Sequence, residues 1–322
     1  VTWLVTGGAG YIGSHVVRKL QQSSLSVVIF DDFSTGVRSF VPPDVPLIEG
    51  TLLDTALIEN ALREHRVEGV IHIAGFKFAG ISVEKPLHAY EQNVTAMMSL
   101  IEAMNRVGVG NIVFSSSSSV YGNAASGLVE EGHPFNPTSP YGESKVIGEW
   151  LLRNQGVATG LRHTSLRYFN VVGSADPDLP DVSRYNLFSM VFAGLEEGNA
   201  PTVFGTDYDT PDGTCIRDYI HVGDLAAAHV GAAQRLAAGE SIEPAYNLGS
   251  GTGTSVAQMM TSISQVTEQP FTPGHGPRRA GDPARVVASG ELAARDLGWA
   301  MTYSLEDMIS SAWEARKTLS PA

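Results

Sequence analysis

The sequence predicts an α/β protein: a doubly wound parallel sheet followed by a smaller carboxyl-terminal α/β unit. Three observations carry this. Short, fully apolar runs alternate with helix-length stretches through the first half of the 322-residue chain, the pattern of strands covered on both faces by crossover helices. A glycine-rich turn joins the first strand to the first helix. After about residue 170 the alternation gives way to loops rich in Asp, Pro, Gly and Thr, such as "GSADPDLPD" and "GTDYDTPDGT", so a second unit begins there.

Strands are expected at "TWLVT" (2–6), "SVVIF" (26–30), "VPLIEG" (45–50), "GVIHIA" (69–74), "NIVFSS" (111–116) and "HTSLRYF" (163–169), with helices near 12–21, 55–65, 86–106 and 140–155. Right-handed crossovers wind such an order into one open sheet. The expected division is 1–169, with about 215–235 returning to it, and 170–322 for the second unit.

Composition narrows the functional classes. Apolar residues make up 43% and charged residues 17%, which describes a folded chain. A net charge of −13 argues against nucleic acid or an anionic membrane as partner. The single Cys215 allows no internal disulfide and fits a reducing compartment. No apolar run approaches the ~20 residues of a membrane helix, and "VTWLVTGG" enters a strand with no charged leader. The expectation is a soluble cytoplasmic protein. Asp176, Asp178 and Asp181 suggest turn chemistry, since EF-hand spacing is lacking. The nine histidines show no metal-ligand spacing either, so no metal is expected.

"TGGAGYIG" (6–13) follows the first strand and opens the first helix. Gly7, Gly10 and Gly13 permit a tight turn, close approach to a pyrophosphate and close helix–strand packing. Alone this could be a glycine-rich turn with no ligand. Asp31, at the end of the second strand, stands where an acid binds the adenosine ribose hydroxyls. Such an acid repels a 2′-phosphate, so the Rossmann-type site is expected to take NAD in preference to NADP.

"SSSSSVYG" (115–122) could pass for a flexible linker. It follows the strand "NIVF" at the carboxyl edge of the sheet, where ligands bind, and a linker there would break the alternation. "SPYGESK" then puts Tyr141 and Lys145 four residues apart, on one face of a helix. A surface pair would share that spacing. A phenol titrating near ~10 is a poor base, but a nearby ammonium and an oxidised nicotinamide would favour its phenolate. A base of that kind accepts the proton when hydride leaves an alcohol carbon, and a serine can relay it.

With "VTGGAGYIGSH", "VIHIAGFK", "FSSSSSVYG", "SPYGESK", "LRYFNVVG", "GTCIRDYIHV", "YNLGSGTGTSV" and "RDLGW" in place, the chain resembles the extended short-chain dehydrogenase/reductase family, in particular its UDP-glucose 4-epimerase branch, over nearly its whole length. The resemblance implies inversion of a UDP-hexose at C4 through a 4-keto sugar, with NAD tightly bound. It makes Tyr141 the active-site base, Lys145 its electrostatic partner and a ribose ligand, and Ser117 the serine on the sugar 4-hydroxyl. Ser115, Ser116, Ser118 and Ser119 are expected only to finish the strand and its turn. The cofactor set it implies is Gly7, Gly10, Tyr11, Ile12, Gly13, Asp31, Thr51, Leu52, Ala74, Lys77, Asn93, Tyr141, Lys145 and Tyr168. On the substrate side it implies Ser117, Tyr141, Asn170, Asn186 and Leu187, with Phe204 against uracil, Arg217 and Arg279 on the diphosphate, and Asp282 on the uridine ribose. A homodimer is implied, the helices near 86–106 and 140–155 packing against their twins.

Three departures from the family pattern stand out. Gly50-Thr51 replaces Gly-Asp at the adenine, where Asp54 could substitute. Gln92-Asn93-Val94 replaces Asn-Asn-Val. Val286 stands where a bulky residue restricts sugar size, which opens the pocket to UDP-GlcNAc and UDP-GalNAc. The rival readings are a nucleotide-sugar 4,6-dehydratase, a UDP-glucuronate decarboxylase and a non-catalytic NAD-binding sensor. Dehydratases carry an acid pair after the strand serine or threonine, where this chain has Ser118 and Ser119. A sensor would not need Ser117, Tyr141 and Lys145 together.

Overall fold

The computed structural model describes residues 1–123, 128–183, 186–279 and 282–319. The alternation begins with β1 (Thr2–Thr6), α1 (Tyr11–Gln22), β2 (Ser26–Asp31), β3 (Leu47–Glu49), α2 (Thr55–Glu64) and β4 (Gly69–His72). It continues through α3 (Ala79–Glu84), α4 (Pro86–Tyr90), a π-helical turn (Glu91–Thr95), α5 (Ala96–Val107), β5 (Asn111–Ser115), β6 (Leu128–Val129), α6 (Pro140–Thr159) and β7 (Arg162–Tyr168). The rest comprises β8 (Asn170–Val172), α7 (Leu187–Glu196), β9 (Thr202–Phe204), β10 (Ile216–Arg217), β11 (Tyr219–His221), α8 (Val222–Ala237) and β12 (Ala245–Leu248), then β13 (Thr254–Ser255), α9 (Val256–Val266), β14 (Gly274–Gly276), β15 (Arg285–Ala288), α10 (Glu291–Leu297) and α11 (Leu305–Arg316).

Among the described residues the main sheet has seven strands in the order β12-β7-β5-β4-β1-β2-β3, and every pair in it is parallel. The order reverses between β1 and β4, which opens a crevice at the carboxyl ends of these strands. Two apolar layers fasten the helices. On one face Val16, Val17 and Leu20 of α1 and Leu225, Ala232 and Leu236 of α8 cluster with Val5, Ile29 and Ile71. On the other, Ile58 and Leu62 of α2, Met97 and Leu100 of α5 and Leu152 of α6 cluster with Leu4, Val70 and Ile112. A third core joins α7, α9 and α11 through Phe188, Phe192, Met259, Ile263, Met308 and Ile309. Beside it β13, β10, β15 and β6 form a separate small sheet.

Two features depart from the sequence expectation. The helix expected over 86–106 is interrupted: Pro86 starts a new helix at its first position, where a missing N–H costs nothing, and the π turn then turns Asn93 inward. The edge strand β12 was not anticipated. It is short and follows Pro244, and its buried Asn247 breaks the apolar run that marks a covered strand.

Candidate active site

The glycine turn is shaped by close approach. Gly7 has φ +71°, and a side chain there would lie 2.8 Å from the Ala74 nitrogen, which explains why Gly7 and Ala74 sit side by side. A Cβ on Gly13 would come within 2.0 Å of the Gly7 carbonyl oxygen, so only glycine lets α1 begin this close to the turn. No side chain caps the amino terminus of α1, and its first turn carries no acid. Its free amide groups and dipole therefore favour an anion. Asp31 ends β2 beside this turn and accepts from Ala9 N at 2.9 Å and Phe33 N at 2.9 Å. Burial pushes its carboxyl up, while both amide bonds pull it back. This cradle and acid fit a dinucleotide.

The other expected cofactor residues divide into those at the crevice and those that build it. Ile12 follows Tyr11 in the first turn of α1. Tyr11 itself is buried, and its hydroxyl donates to the Gly173 carbonyl at 2.5 Å, tying α1 to the loop after β8. Lys77 lies on the loop after β4 with its ammonium 5.6 Å from the Phe78 ring centroid. Asn93 holds that same loop: its Oδ1 accepts from Phe76 N at 2.7 Å, and its Nδ2 donates to Phe76 O and Ser144 Oγ. Leu52 is buried and Thr51 exposed at the end of β3, with Thr51 Oγ1 accepting from Leu53 N. Asp54, considered above for adenine, instead accepts from Leu57 N at 3.0 Å as the N-cap of α2. The cap satisfies an otherwise orphaned amide.

Strand β5 and helix α6 bring the reactive side chains together. Pro140 and the Ser139 cap start α6, so Tyr141 falls in its first turn and Lys145 one turn later. Lys145 Nζ donates to the Ser115 carbonyl at 2.9 Å and lies 5.8 Å from the Tyr141 ring centroid. Ser117 Oγ donates to Ser119 Oγ at 3.1 Å and accepts from Ser119 N, and its hydroxyl beside Tyr141 lowers the phenol's affinity for its proton. Ser82, absent from the expected set, accepts from Tyr141 N at 3.1 Å and donates to Ala79 O, fixing the backbone under the tyrosine. Tyr168, at the end of β7, is raised by burial and by the nearby Tyr141.

The electrostatic balance differs from the expectation. Burial pushes the Tyr141 phenol above its ordinary value, and the nearby Ser117 hydroxyl offsets this only in part. Burial also brings Lys145 down to about 8, against the opposing pull of Glu149. The ammonium points at the Ser115 carbonyl, so the protein alone does not favour the phenolate.

The serines beside Ser117 are more than strand endings. Ser115 Oγ meets His229 Nε2 at 2.7 Å, and His229 Nδ1 meets the Leu225 carbonyl. Because a carbonyl only accepts, Nδ1 carries the proton and Ser115 donates to Nε2. Ser116 Oγ donates to Glu149 Oε1 at 2.6 Å.

The remaining residues expected on the substrate side lie after β7 in the chain. Arg217 on β10 meets Asp282 at 2.8 Å, and Arg279 lies 4.5 Å over the ring of Phe204, which is 37% exposed. Asn170 Nδ2 donates to the Asp218 carbonyl at 2.8 Å. Asn186 caps the start of α7, next to Leu187, and donates to Asp181 at 2.5 Å. Asp176 and Asp181 accept from the amides of Asp178 and Ser183, the turn chemistry expected of them. Asp218 escaped the sequence reading. Its buried carboxylate accepts from Ser250 N and Ala288 N, joining β15 to the neighbouring loop. The signal was present in "IRDY", but turn-forming and buried acids look alike in sequence.

Known proteins share this sequence pattern and fold. The family described as NAD dependent epimerase/dehydratase matches residues 3–249. A UDP-glucose 4-epimerase of Azospirillum brasilense is 42% identical over 97% of this chain and 91% of its own. The crystal structure of UDP-glucose 4-epimerase from Brucella ovis in complex with NAD is 39% identical over 97% of both chains, with a TM-score of 0.93. The UDP-Glc/GlcNAc 4-epimerase of Campylobacter jejuni is 32% identical over 98% of this chain and 99% of its own, with a TM-score of 0.87. Matched over most of its length, the chain belongs to the NAD dependent epimerase/dehydratase family.

Proposed function

We propose that this protein is an NAD-dependent UDP-glucose 4-epimerase, an isomerase that interconverts UDP-glucose and UDP-galactose. The convergence of Ser117, Tyr141 and Lys145 at the carboxyl edge of the sheet carries this reading. Residues 1–169, joined by α8, form the cofactor half, and the remainder of 170–322 forms the substrate half. The packing of α8 against α1 on one sheet face supports that division. The glycine turn and α1 hold the pyrophosphate, Asp31 the adenosine ribose, and Lys145 the nicotinamide ribose. When bound, NAD supplies a hydride acceptor that later returns the hydride to the sugar.

Tyr141 takes the 4-hydroxyl proton as hydride leaves C4 and returns it to the 4-oxygen once the turned sugar presents the opposite face of C4, with Ser117 relaying it. Two of the three Lys145 donors remain after the Ser115 bond for a ribose and for steadying the phenolate. Arg217 and Arg279 grip the diphosphate, Phe204 stacks on uracil, and Asp282 and Asn186 orient the nucleotide. The sugar is held only loosely, so its 4-keto form can turn over. Replacing Tyr141 by Phe should abolish turnover and leave NAD bound; retained turnover would refute this site.

Val286 pairs in parallel register with Arg217, and register neighbours point to one sheet face. This supports Val286 as a lining residue of the sugar pocket and an extension to N-acetylated UDP-sugars. The rival 4,6-dehydratase needs an acid pair that Ser118 and Ser119 do not supply.

A homodimer completes the proposal. Val83, Leu87, Met98, Trp150 and Val157 are all exposed on α3, α4, α5 and α6, with Leu87 at 82% and Val157 at 88%. Such a grouping of apolar side chains on neighbouring helices favours association. Cytoplasmic residence accords with the lone Cys215, and among the described residues no helix is long and apolar enough to cross a membrane.

A further inference from the structure

Helix α6 repeats its inward face every four residues, at Tyr141, Lys145 and Glu149. The end of β5 meets that face with three consecutive serines. The Ser115 carbonyl receives Lys145, the Ser116 hydroxyl donates to Glu149, and Ser117 stands beside Tyr141 and lowers its proton affinity. Glu149 therefore occupies the third rung of a ladder whose other two rungs carry the proposed chemistry.

Its own surroundings are closed. Glu149 is 8% exposed, and Arg167 of β7 grips it through Nε at 2.9 Å and Nη2 at 2.5 Å. Arg167 Nη1 in turn donates to the Tyr121 hydroxyl at 2.6 Å, and Tyr121 donates to Asn247 of β12. A buried ion pair is a poor device for stability, because desolvation cancels most of its attraction. What this pair does is fix a carboxylate between Arg167 and the Ser116 hydroxyl, one helical turn from Lys145.

The groups around Lys145 leave Glu149 as the acid acting on it. His72 of β4 and His229 of α8 are buried and held neutral, at about 3 and about 4. Tyr141 and Tyr168 are raised and neutral near pH 7. Arg167, from β7, is cationic and is shielded by its bidentate bond to Glu149.

We propose that Glu149 is a positioning residue for the reaction, locking the 115–117 segment to α6 through Ser116 one helical turn from the Lys145 ammonium. This rests on the epimerase reading above. The burial of Lys145 lowers its proton affinity, and Glu149 opposes that shift; without the carboxylate the ammonium loses its proton at lower pH.

The experiment measures kcat and KM for UDP-galactose against pH for wild type, Glu149→Gln, Ser116→Ala and Tyr141→Phe, with rates referred to protein-bound NAD. Glu149→Gln should show its alkaline loss of kcat at lower pH than wild type. A purely structural role would reduce the loaded fraction and leave the profile unmoved, and a superimposable profile overturns the proposal. If Glu149→Gln does not fold, Ser116→Ala decides, since it keeps the ion pair. Its kcat should fall, by up to about a hundredfold for a misplacement of about 1 Å, with KM little changed; a wild-type kcat overturns the proposal. An active Tyr141→Phe would instead refute the site itself, independently of Glu149.

Discussion

Lys145 reaches the carbonyl of Ser115 at 2.9 Å, and this bond fastens α6 to the end of β5 where the proposed chemistry takes place. The same burial that shapes the contact brings the lysine down to about 8. Turnover should therefore fall as pH rises through about 8. Stability should move the other way. An unfolded lysine titrates near ~10.4, so between these values the unfolded chain binds more protons and this group's contribution to stability rises with pH. Parallel pH series of kcat and Tm, with Lys145→Met lacking the Tm contribution, check both directions. Constant turnover from neutral pH to pH 9.5 would count against the role of the ammonium.

Gly13→Ala places a methyl 2.0 Å from the Gly7 carbonyl oxygen. Backbone cannot yield as a side chain does, so overpacking should cost about 1–3 kcal/mol and distort the pyrophosphate cradle. Purified Gly13→Ala should melt lower and carry little NAD by absorbance. Wild-type NAD content would show that the turn is not the phosphate site.

Much of this architecture was legible in the chain. The six expected strands form, because covered parallel strands write continuous apolar runs such as "WLV" and "VVIF". The glycine turn and Asp31 meet because they end adjacent strands, β1 and β2. The illegible parts depend on distant partners. Ser116, Glu149 and Arg167 come from three elements, and local periodicity carries no trace of their meeting. Asp54 shows the converse: its capping position was readable from the helix start, yet it was weighed as a ligand.

Val286 gives the specificity prediction. Val286→Tyr should reduce kcat/KM for UDP-GalNAc by about tenfold or more, the range that pocket volume controls, while UDP-galactose changes little. Equal losses on both sugars would place Val286 outside the acetamido pocket.

The exposed apolar face predicts the oligomer. Leu87→Glu with Val157→Glu adds charge at the two most exposed apolar side chains of the helices α4 and α6. Sedimentation should show a dimer for wild type and a monomer for the double variant. A wild-type monomer would remove the dimer from the proposal.

The central claim is C4 inversion by a resident cofactor. Purified protein should be incubated with UDP-galactose in deuterated water, with no NAD added, and followed by proton NMR. The account predicts UDP-glucose with its C4 hydrogen retained, because the hydride never reaches solvent. Absence of inversion even after NAD is supplied, or a 4-keto-6-deoxy product, would contradict it.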